Sequence, residues 1–112
     1  MKLTDREHDG IVILVPKGKI MGGPDASLLH DKLYEYIDKG KKNIVIDLAR
    51  VDWMNSTGLG ILISGYTTLR NHDGQLKLAN VTDKIQSLLV ITKLVSVFEA
   101  HDSVDKAINS FK

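Results

Sequence analysis

The sequence contains no cysteine, so disulfide bonds and thiol catalysis are excluded. The chain starts Met1-Lys2-Leu3-Thr4-Asp5, which lacks the apolar core of a signal peptide. Its most apolar segment, 85–98, is interrupted by polar residues and so falls short of a run that could span a bilayer. We therefore expect a cytoplasmic protein in which segment 85–98 belongs to the core, with no membrane insertion.

An excess of one charge sign is also absent, because the sequence contains 15 Lys and Arg residues and 14 Asp and Glu residues. These charges are scattered, and no basic stripe that would hold nucleic acid or anionic lipid is visible along the sequence. A protein or a small molecule is the expected partner. With 112 residues and 43% hydrophobic content, the chain is expected to form one compact domain over residues 1–112.

Motifs for metal, nucleotide and catalysis are missing as well. The four histidines never reach ligand spacing; they are His8, His30, His72 and His101. Gly58-Leu59-Gly60 lacks the Lys-Ser/Thr of a P-loop and the third glycine of a dinucleotide fingerprint. The acids Asp47, Asp52 and Asp73 are expected at strand and loop ends rather than in a metal pocket. We therefore expect no cofactor, no metal and no catalytic residues, and hence a protein that is not an enzyme.

Alternating strands and helices predict an α/β fold of order ββαβαβαβα. The continuous apolar run Ile44-Val45-Ile46 is typical of a central strand that is covered on both faces. Strands that alternate with helices favour a mixed, mostly parallel sheet, here packed with about four helices. The predicted elements of the first half are strands near Leu3–Glu7 and Ile11–Val15 joined by Asp9-Gly10, a helix from Pro24 to before Gly40, a strand at Ile44–Leu48 and a connection at Ala49–Asn55. Those of the second half are a helix ending near Asn71, a strand at Gln75–Ala79, a helix capped by Thr82 and running through Leu89, a short strand at Val97-Phe98 and a helix capped by Ser103.

The stretch Asn55-Ser56-Thr57-Gly58-Leu59-Gly60 opens the second helix, and Ser56 occupies the expected N-cap position. A helix N-terminus presents unpaired N–H groups and positive potential, so it would tolerate a phosphoryl group. Each glycine lowers the stability of a helix by about 1 kcal/mol relative to alanine. The presence of two glycines therefore favours a role in which the backbone is left bare so that a partner can approach it closely. The alternative is that Ser56 or Asn55 is an ordinary cap and that the glycines relieve crowding under Trp53. Trp53 itself is either a partner anchor or a buried residue over this helix.

These six residues, following the strand 44–48 and the pair Trp53-Met54, resemble the phosphorylation motif of anti-sigma-factor antagonists, the bacterial STAS domains. The resemblance extends from Ile11 to about Ile108 and implies that Ser56 is the phosphoacceptor, with Thr57 as the alternative. It implies two partners, a serine kinase that also acts as an anti-sigma factor and a serine phosphatase. The residues expected to bind the partner are Met21, Gly22, Trp53, Asn55, Ser56, Thr57, Gly58, Leu59 and Gly60.

The resemblance implies a phosphorylation-controlled switch. The unmodified form would bind the kinase and release a sigma factor or another target, and phosphate at Ser56 would abolish binding. Asn55 stands where the family usually carries Asp, and Lys19 and Met21 replace acidic residues, which implies altered recognition by the kinase. The alternative function is a STAS scaffold subunit of a sensory or transport complex that is never phosphorylated.

Overall fold

The computed structural model describes all residues from 1 to 112 and contains six strands and four helices. The strands are β1 (Lys2–His8), β2 (Ile11–Ile20), β3 (Asn43–Asp47), β4 (Val51–Met54), β5 (Gln75–Ala79) and β6 (Glu99–His101). The helices are α1 (Pro24–Asp38), α2 (Ser56–Asn71), α3 (Asp83–Ile91) and α4 (Val104–Asn109). The predicted α/β class, the order of the predicted elements and the four helices are confirmed, and one strand, β4, is additional.

The sheet has the order β1-β2-β3-β5-β6, which puts β3 at its centre as predicted. β1 and β2 form an antiparallel hairpin, while the pairs β2·β3, β3·β5 and β5·β6 are parallel. The hairpin turn places Asp9 and Gly10 at positive φ, 54° and 79°, which is the backbone geometry of a two-residue type I′ turn. Because the strand pairs other than the hairpin are parallel, the predicted mixed, mostly parallel sheet is confirmed.

Two cores lie on opposite faces of this sheet because successive strand side chains alternate. The larger core joins the sheet to α1, α2 and α3, and it includes the four α1 residues that helical spacing predicted, namely Leu29, Leu33, Tyr36 and Ile37. The smaller core lies under α4 and consists of Ile11, Ile13, Val45, Ala79, Ala107 and Ile108. With only six residues, α4 leaves part of that face uncovered.

The prediction that 49–55 is a connection was wrong in part, because this segment contains the strand β4. β4 pairs in parallel with the distal end of β2, and Val51 and Met54 bury their side chains in the larger core. Its partner residues are more than 30 positions away, so pairing between the two segments leaves no local signal in the sequence.

Segment 85–98 departs from the prediction at two points. The last strand begins at Glu99, whereas Phe98 is buried and packs edge-on against Tyr66 with ring centroids 5.5 Å apart. The apolar side chain of Phe98 therefore belongs to the core, and Phe98 is not part of the last strand. Ile91, at the end of α3, is 77% exposed and does not belong to the core. None of the helices in the structure combines the length and the apolarity needed to cross a membrane.

Candidate functional site

The start of α2 is built around Asn55, which is the N-cap residue and has extended backbone angles (φ −102°, ψ −178°). Its Oδ1 accepts a hydrogen bond from the Gly58 N–H at 2.7 Å, and its carbonyl accepts one from the Leu59 N–H at 2.9 Å. The expectation that Ser56 is the N-cap was therefore wrong by one residue. Asn and Ser are comparable caps, so composition alone does not choose between neighbours.

Ser56 is consequently the first residue of the helix, and its side chain is exposed. The amides of Ser56 and Thr57 have no acceptor within α2, because helix geometry leaves the first N–H groups without partners. The hydroxyl of Ser56 therefore lies in solvent beside free N–H groups, at the positive end of the helix dipole. This environment favours an anionic group at that position.

The two glycines of the motif have different environments. Gly58 is buried, and a Cβ added to it would lie 2.0 Å from the carbonyl oxygen of Ile20 and 3.0 Å from Cγ of Met54. Gly60 is exposed, and a Cβ added there would have no neighbour within 4 Å. Gly58 is thus required by the packing of α2 against β2, whereas no contact within the chain requires Gly60. The suggestion that the glycines relieve crowding under Trp53 was wrong, since Gly58 faces Ile20.

The loop after β2 lies beside the start of α2. A Cβ added to Gly22, which has φ +118°, would lie 2.8 Å from Cγ2 of Thr57. The N–H of Met21 donates to Oδ2 of Asp25 at 3.1 Å, which fixes the loop at the start of α1. The pairing of β2 with β4 brings Lys19 opposite Trp53. Residues from two distant parts of the sequence therefore meet at one surface, and binding of a partner there stays a prediction.

Two large apolar side chains are exposed at this surface. Trp53 is 42% exposed and Met21 is 47% exposed. Trp53 is thus not buried over α2, and its role as a partner anchor stays a prediction. Leu59 is only 1% exposed, so its side chain belongs to the core and contributes nothing to this surface. Sequence reasoning missed that distinction because both residues are apolar.

The acidic side chains that were weighed as metal ligands include Asp47 and Asp73, and both belong to local structure. Asp47, at the end of β3, accepts hydrogen bonds from the Ala49 N–H at 3.0 Å and from Nδ2 of Asn80 at 2.9 Å. Asp73 lies in the turn before β5 with φ 61°, and no group of three His, Cys, Asp or Glu side chains is arranged to hold a metal ion.

Comparison with known proteins gives a consistent result. The profile of the STAS domain matches residues 2–107. The anti-sigma-B factor antagonist of Listeria monocytogenes is 38% identical over 99 residues, which cover 88% of this chain and 85% of that protein. BtrV of Bordetella bronchiseptica, whose name gives it as a candidate anti-sigma factor antagonist, is 30% identical over 112 residues, covering 100% and 96% of the two chains.

Solved structures share the fold at lower identity. The anti-sigma factor antagonist SpoIIAA in its unphosphorylated form has a TM-score of 0.73 and 17% identity, with 98% of this chain and 97% of that chain covered. The phosphorylated form of SpoIIAA, from Bacillus, has a TM-score of 0.74 and 16% identity, with 99% and 100% covered. At these identities the likeness concerns the fold alone.

Proposed function

The chain belongs to the STAS domain family, and from this membership and the geometry at α2 we propose that it is a phosphorylation-controlled protein-binding switch. Relatives that match most of its length are named anti-sigma factor antagonists, which are regulatory proteins and not enzymes. In this proposal the unmodified chain binds an anti-sigma-factor serine kinase in the cytoplasm and so releases a sigma factor or another target. Phosphate on Ser56 abolishes binding, and a serine phosphatase removes it.

The observation that carries the proposal is the exposed hydroxyl of Ser56 beside free amides at the start of α2. Phosphorylation adds about −1.5 to −2 charge at neutral pH, and the free N–H groups of the first turn can hold it. The domain therefore has no need to refold. A partner surface shaped for a neutral hydroxyl next to bare Gly60 would instead meet bulk and desolvated charge, at a cost of roughly 3 kcal/mol or more, which is over ~100-fold in affinity.

The assignment of Ser56 is tested with the serine kinase that copurifies with the chain, incubated with ATP. Intact-mass measurement is expected to show one added phosphate, and peptide mapping is expected to place it on Ser56. The Ser56→Ala variant should bind the kinase without accepting phosphate. Thr57→Ala is the matched control, because it removes the neighbouring hydroxyl and should still be labelled. A phosphate mapped to Thr57 would contradict the assignment.

The mechanism is tested by comparing the phosphorylated and unmodified chains. Amide NMR shifts are expected to be confined to residues 55–62, while the affinity for the kinase falls over ~100-fold. A spectrum that changes throughout the chain, or equal affinity of the two forms, would contradict the mechanism. If the chain binds the kinase but never accepts phosphate, the second candidate applies, in which the domain is a STAS scaffold subunit of a sensory or transport complex. Asn55, in place of the carboxylate usual in the family, is the observation that favours this second candidate.

A further inference from the structure

The hairpin β1–β2 separates its charges between the two faces of the sheet. Asp5 and Glu7 point toward α1, where Asp5 accepts a hydrogen bond from the Tyr36 hydroxyl and Glu7 pairs with Lys41 at 2.6 Å. Because strand side chains alternate, Lys2, Thr4, Arg6 and His8 point to the opposite face. That face is the one that carries the smaller core, which on the hairpin includes Ile11 and Ile13, with Val15 packed against it.

The uncovered part of this face is basic. Lys2 lies directly opposite Lys17 in the register of the hairpin, so both point to the same side. Lys19 and Trp53 form the next pair, and they point away from the larger core because the following pair, Ile20 and Met54, is buried in it. We call the set Lys2, Arg6, Lys17 and Lys19, with Trp53 at its end, the basic face.

All four cations of the basic face are exposed, and none of them forms a salt bridge in the structure. Six lysines elsewhere are paired with acids, for example Lys32 with Glu35 and Lys112 with Asp9, whereas Lys42, Lys84 and Lys93 are also without a salt bridge but are not gathered with other cations on the hairpin. The face runs over six strand positions from the level of Arg6 to that of Lys19, which is about 20 Å at the rise of an extended strand.

We propose that the basic face is a second contact area for the protein partner that binds at Ser56, and that the basic face binds an acidic segment of that partner. This inference rests on the proposed function. The basic face is continuous with the acceptor site, because Trp53 lies two residues before the cap Asn55 and beside Lys19. A partner seated on the start of α2 and on exposed Trp53 therefore reaches these cations without a second docking event.

The observations favour a protein over a lipid surface or a nucleic acid. Four cations at about 1 kcal/mol each give about 4 kcal/mol toward an anionic membrane, which is only millimolar affinity without a lipid anchor. Single-stranded nucleic acid needs successive aromatic platforms, and Trp53 is the one aromatic residue on this uncovered surface. The net charge of the whole chain is only +1, so an extended polyanion would also meet acidic surface. A compact acidic segment would contact the basic face without reaching that acidic surface.

The first experiment uses the full chain and a synthetic octaglutamate peptide at low salt. Fluorescence of Trp53, the only tryptophan, and amide NMR shifts at Lys2, Lys17 and Lys19 are expected to change and to saturate. The double variant Lys17→Glu/Lys19→Glu should lose this response. Absence of binding to octaglutamate would overturn the proposal. So would tighter binding to phosphatidylserine-containing vesicles or to an oligo-dT strand, which would assign the basic face to a membrane or to nucleic acid.

The second experiment measures association of the kinase that phosphorylates the chain. Lys17→Glu/Lys19→Glu is expected to lower the association rate constant about 10-fold or more and to reduce its salt dependence. The matched control is Lys42→Glu/Lys93→Glu, which makes the same charge change at the opposite end of the parallel strands and should leave the rate unchanged. Equal rates for both double variants would overturn the proposal.

The two proposals fail in different ways. If phosphate at Ser56 blocks binding while the Lys17→Glu/Lys19→Glu variant binds like the wild type, the switch stands and the basic face is not a contact area. If that variant binds poorly while phosphorylation has no effect, the basic face stands and the switch at Ser56 is refuted.

Discussion

The two glycines that open α2 offer a sharp test, because they look alike in the sequence and differ in the structure. We expect Gly58→Ala to destabilise the chain and Gly60→Ala to stabilise it. At Gly60 the added methyl group meets nothing within 4 Å, so only helix propensity changes. Ala is favoured over Gly by about 0.8–1 kcal/mol in a helix interior. For a chain of this size, that corresponds to a rise of roughly 4 °C in Tm.

At Gly58 the added methyl group lies 2.0 Å from the carbonyl oxygen of Ile20. This oxygen belongs to the backbone of β2, which is paired with β4 at that point, so it cannot rotate away as a flexible side chain would. Overpacking of this kind costs about 1–3 kcal/mol and outweighs the small propensity gain of Ala in the first turn. We expect Tm to fall by roughly 4–8 °C for a net loss of about 1–2 kcal/mol.

Thermal and urea unfolding followed by circular dichroism measure both free energies, and the same two variants then report on binding. Gly60→Ala should bind the kinase more weakly than the wild type in spite of its higher stability, because the methyl group occupies the space that a partner would use. A Gly58→Ala variant as stable as the wild type would refute the packing argument. A Gly60→Ala variant with undiminished affinity would refute the idea that a partner approaches this backbone.

Two further predictions concern charge. Asn55→Asp should raise the rate of phosphorylation by the kinase and leave Tm nearly unchanged, because Asp also caps the Gly58 N–H; an unchanged or slower rate would exclude a role for the carboxylate. Glu99 accepts hydrogen bonds from Lys77 and His101, which lowers the pKa of its carboxyl to about 2. Because this pKa is lowered, the contact stabilises the fold above the unfolded-state value near 4.5, and the stabilisation is lost as pH falls from there toward 2. In urea unfolding, the stability difference between the wild type and Glu99→Gln should shrink over that range, and a constant difference would contradict the assignment.

Local patterns in the sequence predicted what local physics determines. The helical spacing of Leu29, Leu33, Tyr36 and Ile37 identified the buried side of α1 correctly, since one helix face must enter the core. Caps at Thr82 and Ser103 were also confirmed, with Oγ1 of Thr82 accepting from the Ile85 N–H. These features depend on residues within one or two helical turns of each other, and the sequence therefore contains all the information they require.

Features that depend on pairing between distant segments could not be predicted in the same way. The strand β4 exists because its backbone pairs with the far end of β2, and neither segment signals the other. The basic face likewise depends on pairing between distant segments. Lys2 and Arg6 lie more than ten positions before Lys17 and Lys19 in the sequence, and only the hairpin register with strand alternation brings the two pairs to the same side of the sheet. The absence of a basic stripe in the sequence therefore did not exclude a basic surface in the fold.

The displacement of the N-cap from Ser56 to Asn55 bears directly on the switch. Had Ser56 been the cap, its hydroxyl would hold a backbone N–H, and phosphorylation would disturb a hydrogen bond that contributes about 1 kcal/mol. Since the cap bond runs from Gly58 to Asn55, the acceptor hydroxyl is separate from the groups that stabilise the helix. We therefore expect Ser56→Ala to change the free energy of unfolding by less than ~0.5 kcal/mol, whereas Asn55→Ala should lower it by about 1 kcal/mol. Urea denaturation of the two variants measures both values, and an equal loss in each would mean that the acceptor supports the fold, so that phosphorylation would alter the domain as well as its partner surface.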